Sequence, residues 1–139
     1  MTSQHSICNV DLWHLQWFGN LVTLKWWNDL WLNEGFATYM QYVAIEAITN
    51  GVMNLKDYFL VVALERALWA DSVATSHPLS FKIDKAVEVS EAFSPISYQK
   101  GASFLTMIAA LMGEENFNEG VKVGFCMFCN ILIEKKKVS

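Results

Sequence analysis

Apolar residues recur at helical spacing along almost the whole of this 139-residue chain, and that periodicity restricts it to an all-α fold. Leu32, Phe36, Tyr39 and Val43 fall at i, i+4, i+7 and i+11, one face of a single helix. Asn28 or Asp29 can cap that helix, and Asn50-Gly51 should close it, since both residue types tolerate the left-handed conformation. Upstream, Val10 to Phe18 predicts a helix stopped by Gly19-Asn20, followed by a turn through Thr23 to Asp29. Downstream, Asn54 and Asp57 have the spacing of a capping box, opening a helix through Phe59, Val62 and Arg66 to about Asp71. A loop around Ser76-His77-Pro78 interrupts the pattern. Ser94-Pro95, a cap residue before a proline, starts the next helix, on which Tyr98, Ala102, Leu105, Ala109 and Met112 share a face. Gly113 ends it, and Glu114 to Val123 reads as a last amphipathic helix. The remaining GFCMFCNILIEKKKVS lacks amphipathic spacing. No internal repeat and no low-complexity linker is present, and the length suits about one domain.

Composition narrows the partners. The hydrophobic fraction is 53%, with six Trp and nine Phe, above the roughly 45–50% of soluble domains, so some apolar surface is expected to meet a protein partner. Net charge is −4, and the basic residues cluster only at Lys135 to Lys137, read as a solvated end, so no nucleic acid is expected. Cys8, Cys126 and Cys129 form no disulfide framework, and the CxxC at Cys126 to Cys129 has neither a βαβ setting nor further ligands beside it. Met1 to Val10 is polar and shows no signal peptide. The run Val123 to Ile133 would cover about 16 Å as a helix against a bilayer core of about 30 Å, so no transmembrane span is expected.

The most specific stretch is QWFGNLVTLKWWNDLWLNEGFATYM, Gln16 to Met40. With SHPL at Ser76 to Leu79, ISYQKGAS at Ile96 to Ser103 and GEENF at Gly113 to Phe117, it resembles the alanyl aminopeptidase-like zinc metallopeptidases. That family includes the insulin-regulated, endoplasmic-reticulum and puromycin-sensitive aminopeptidases. The resemblance covers about Gln16 to Val123, leaving 1–15 and 124–139 as non-matching segments around a partial catalytic domain. It implies the helical part of a thermolysin-like zinc-peptidase catalytic domain, incomplete in this chain. It also implies a parent activity that removes amino-terminal residues from peptide substrates with zinc-activated water. Such enzymes carry HExxH, whose two His are brought to one helix face by about 400° of rotation, with the general-base Glu beside the first. A carboxylate on the following helix completes a His₂Glu ligand set. By resemblance Glu34, in NEGFA, stands at that third zinc-ligand position. Tyr98, in ISYQKG, stands at that of the Tyr stabilising the oxyanion. Asn33 and Asp29 stand where neighbours would orient ligands.

The departures are concentrated upstream. The register of Gln16 to Asn20 places Asp11 at the first His, Leu12 at the general base and Leu15 at the second His. Leucine neither ligates zinc nor accepts a proton. The GxMEN-type segment that in the family holds the substrate's amino terminus is also missing. Asp11 and His14, neighbours at i and i+3, could with Glu34 form a substitute metal site, but His14 points about 100° from the Leu15 direction and no general base is supplied. The expected reading is a fragment or degenerate member that is inactive by itself, its divergent ends arising from misplaced coding boundaries or a rearranged gene. The alternative is a non-catalytic helical interaction module. Family members are membrane ectodomains, luminal or cytosolic, so the compartment stays open. His77 is read as structural, His5 carries no functional signal, and Trp13, Trp17, Trp26, Trp27 and Trp31 are read as core packing against other parts of a parent domain.

Overall fold

A computed structural model describes residues 26–124. The chain divides into two compact units, Met1–Leu105 and Thr106–Ser139. Among the described residues every regular element is helical and no strand is present. The expected helix over Val10 to Phe18, and the motifs at Asp11 to Leu15 and Cys126 to Cys129, lie outside these residues.

Helix α1, Leu30–Ile48, follows a 3-10 turn at Trp27–Asp29. Its end is set by the residues the sequence marks. The Asn50 N–H donates to the Ala47 carbonyl at 3.3 Å and the Gly51 N–H to the Glu46 carbonyl at 3.1 Å, with Asn50 and Gly51 at φ 48° and 77°. This is a Schellman closure, which satisfies carbonyls the helix leaves open.

The buried face of α1 matches the expected one only in part. Tyr39 is buried as expected, together with Leu30, Glu34, Ala37, Thr38 and Ile45, whereas Leu32 and Phe36 are only half-buried and Val43 is exposed. The inward stripe contains a carboxylate and a hydroxyl, which hydrophobic periodicity assigns to solvent. Thr38 is accommodated by donating its Oγ1 hydrogen to the Glu34 carbonyl at 2.8 Å.

Helix α2, Leu55–Phe59, runs through a π-helical segment, Leu60–Leu64, into α3, Glu65–Ser72. Leu55, Phe59, Ala63, Ala67 and Ala70 form its buried stripe, and Phe59 meets the ring of Tyr42 on α1 edge-on at 5.0 Å. The expected capping box is not the cap used. Asn54 adopts φ 45° and makes no side-chain cap, its amide binding the Asp57 carboxylate instead. The Leu55 N–H is accepted by Glu46 Oε2 at 2.9 Å. A carboxylate one helix earlier thus serves the orphan donor, a partner invisible to a local spacing rule.

The segment between α3 and the next helices is tied to the start of α1. Trp26 Nε1–H donates to the Ile83 carbonyl and the Ile83 N–H donates to Asn28 Oδ1, both at 2.9 Å. Ile83 is thereby seated in a small core with Leu30 and Ala92, covered by Phe81 and Val89. Asn28 therefore anchors a distant backbone rather than capping α1. A short helix α4, Ala86–Ala92, follows; the sequence reading did not anticipate it. The next helix begins near Ser94-Pro95 as expected, as a π-helical segment, Ile96–Lys100, leading into α5, Gly101–Met112. The π-helical segment packs on α1, on α3 and on Leu60–Leu64. Ala102 and Leu105 are buried as anticipated, while Tyr98 is half-buried.

In the second unit, Gly113 at φ 83° ends α5, and helix α6 covers 114–124. The Asn116 side-chain amide donates to the Met112 carbonyl at 2.9 Å, and Phe117 is buried. No described helix is long and apolar enough to cross a membrane.

Candidate functional site

Glu34 projects from near the start of α1 and is 6% exposed. Tyr98 lies in the π-helical segment Ile96–Lys100, a kind of distortion often found where a helix carries function. These two helices meet with almost nothing between them. A Cβ added to Gly35 would lie 3.0 Å from the carbonyl carbon and 3.1 Å from the Cα of Gly101; one added to Gly101 would lie 3.2 Å from the Cα of Gly35 and 3.2 Å from the Trp31 carbonyl oxygen. Backbone therefore rests on backbone one residue after Glu34 and three after Tyr98. The sequence reading did not single out these glycines. Their signal was an isolated glycine inside each helical pattern, which costs helix stability unless close approach requires it.

The Tyr98 segment is fastened on both sides of this crossing. At its start, His77 Nε2 and Ser94 Oγ are 2.9 Å apart, and His77 Nδ1 lies 2.8 Å from the Pro78 carbonyl oxygen. The carbonyl can only accept, so Nδ1 carries the hydrogen; in the neutral ring Ser94 then donates to Nε2. His77 also packs on Phe81 at 4.4 Å. Its surroundings are those of a structural histidine, as the sequence suggested. At the segment's end, Lys100 Nζ is 2.7 Å from Asp71 Oδ1 at the foot of α3. The Lys100 hydrogen bond, then that of Ser76, hold the Asp71 carboxyl below its ordinary pKa.

The other expected positions are dispersed. Asp29 is exposed at the start of α1 and accepts a hydrogen bond from Ser80 Oγ at 2.8 Å. Asn33 is half-buried beside Glu34. Asp11 and His14 lie outside the described residues, where no geometry is assigned to them. Among the described residues no three His, Cys, Asp or Glu side chains gather closely enough to hold a metal ion. Trp26 and Trp27 are 58% and 43% exposed, and the rings of Trp27 and Phe93 lie 6.4 Å apart, centre to centre. Trp31 is half-buried and packs edge-on against Phe104 at 6.0 Å.

Known proteins resemble this chain over about three quarters of its length. Over 106 residues, 76% of the chain, it is 59% identical to aminopeptidase N of Haemonchus contortus and 55% identical to leucyl aminopeptidase of Saccharolobus solfataricus. It is 46% identical to human aminopeptidase N over 109 residues. The chain spans only a small part of these relatives, 11%, 13% and 11% of their lengths. The peptidase family M1 domain matches residues 2–135. With its all-helical build and its resemblance from Gln16 onward, this chain is a member of peptidase family M1.

Proposed function

We propose that this chain holds the part of an M1 aminopeptidase catalytic domain that presents the downstream zinc-ligand carboxylate, Glu34, and the oxyanion-stabilising hydroxyl, Tyr98, and that alone it does not hydrolyse peptides. The observation carrying this reading is the Gly35–Gly101 contact, which holds the helix of Glu34 and the segment of Tyr98 in a fixed relation. Asn33 and Asp29 stand by resemblance as groups that would orient ligands.

The donor set does not fit zinc. A catalytic zinc needs three protein ligands. Glu34 offers one, but the other two stations fall on Asp11 and Leu15, and a leucine side chain has no lone pair. Leu12 stands where the proton acceptor is required. A substitute ligand set of Asp11, His14 and Glu34 would still leave that acceptor missing.

The test combines zinc titration by calorimetry with an assay on aminoacyl and peptide substrates. The expected result is no micromolar zinc binding and no turnover. Zinc binding abolished by Glu34→Ala, together with peptide cleavage, would overturn the proposal.

A second reading, a non-catalytic interaction module, is favoured by one observation. Val61, Leu68 and Trp69, on the outer side of the continuous helix from Leu55 to Ser72, are 63–69% exposed, an apolar face of the sort that meets other protein. Sedimentation and circular dichroism separate the two. A module should be soluble and folded as one defined species, whereas a catalytic-domain portion should be poorly soluble and associate without defined size through that face.

A further inference from the structure

Asn50-Gly51 is the sole Asn-Gly pair in the sequence, and the structure places it at the exposed corner between α1 and α2. We infer that Asn50 is a site of spontaneous deamidation that converts the closure of α1 irreversibly into an isoaspartyl or aspartyl end.

The reaction needs only water and a base such as hydroxide. The Gly51 amide nitrogen loses its proton to the base and attacks Asn50 Cγ. The N–Cγ bond forms, the Cγ–Nδ2 bond breaks and ammonia leaves, giving a cyclic imide. Water then adds at either imide carbonyl. Opening on one side restores a normal peptide with an aspartate; opening on the other leaves the chain running through the side-chain carboxyl. No electron is transferred.

Three features of the corner favour ring closure at this asparagine. Gly51 has no side chain to crowd the ring, and a Cβ there would have only Glu46 Oε1, at 3.6 Å, nearby. The Asn50 side-chain amide makes no hydrogen bond among the described residues that would hold it away from its own backbone. The Gly51 N–H is bound to the Glu46 carbonyl, but that bond belongs to a helix terminus, where local opening is cheapest.

The product would not restore the same closure. An isoaspartyl linkage adds a methylene to the main chain between the Asn50 Cα and the Gly51 nitrogen, so the Gly51 N–H no longer meets the Glu46 carbonyl in register. Either product adds a negative charge at the negative end of the helix dipole, close to Glu46, which is itself engaged in capping Leu55.

The experiment ages the full chain in mildly alkaline buffer and follows each asparagine by peptide mapping with fragmentation that distinguishes isoaspartate. Asn54 and Asn116, both exposed, serve as internal references. Conversion at Asn50 several-fold faster than at either, with isoaspartate as the larger product, is expected, and Gly51→Ala should reduce it to the reference rate. Equal rates at the three asparagines would overturn the inference. So would an excess at Asn50 that persists in Gly51→Ala.

Discussion

A methyl group on Gly35 would press against the carbonyl carbon of Gly101 at 3.0 Å, and backbone cannot rotate aside as a side chain can. Gly35→Ala must therefore move one helix relative to the other, with an expected loss of about 1–3 kcal/mol, measurable by urea denaturation. An unchanged midpoint would show that the contact is loose in solution. The same glycines mark a boundary of what could be read in advance. Glu34 and Tyr98 were singled out because NEGFA and ISYQKG resemble family motifs. Nothing in their spacing announced that the residues beside them are in backbone contact, because close approach is a property of two distant segments. Asn28 was misjudged for a similar reason: a polar residue before a helix reads as a cap, yet its oxygen holds the backbone of Ile83, 55 residues away.

At the level of elements, the ends of helices were more legible than their faces. Asn50-Gly51, Ser94-Pro95 and Gly113 act through their own backbone preferences, and each marks a boundary where expected. The inward face of α1 was legible at Tyr39 and otherwise missed, in part because it includes Glu34 and Thr38, which a hydrophobic pattern places outside. Helix α4 was missed because seven residues carry too few turns for a period to register. The two π-helical segments are likewise beyond a reading that assumes a regular period.

The tie between α3 and the Tyr98 segment gives a prediction at this scale. Lys100 holds the Asp71 carboxyl below its ordinary pKa, so acid protonates the unfolded chain first. The contribution of this pair is complete above the unfolded carboxyl's pKa and disappears as the pH falls through the folded one. Both side chains are partly exposed, so the effect is small. Asp71→Asn should destabilise the chain modestly near neutral pH, and its difference from the unmodified protein should close on acidification. A difference that stays constant through the acid range would argue against the ion pair.

For the molecule as a whole, the balance of buried and exposed apolar surface matters most. Leu55, Phe59, Ala63 and Ala67 face the helices beside them, while Leu68 and Trp69 on the same continuous helix are 63% and 69% exposed. Such a helix is apolar on two sides and has neighbours on one. Replacing Leu68 and Trp69 by Ser should lower self-association in sedimentation velocity while leaving the far-ultraviolet helical signal unchanged. Persistent association would place the sticky surface elsewhere.

The meeting of Gly35 with Gly101 also bears on how such a chain can diverge. Spacing that depends on packed side chains drifts as those side chains are exchanged. Here peptide groups set the separation directly, so exchange of a neighbouring side chain should leave the distance between the two rods at this crossing unchanged.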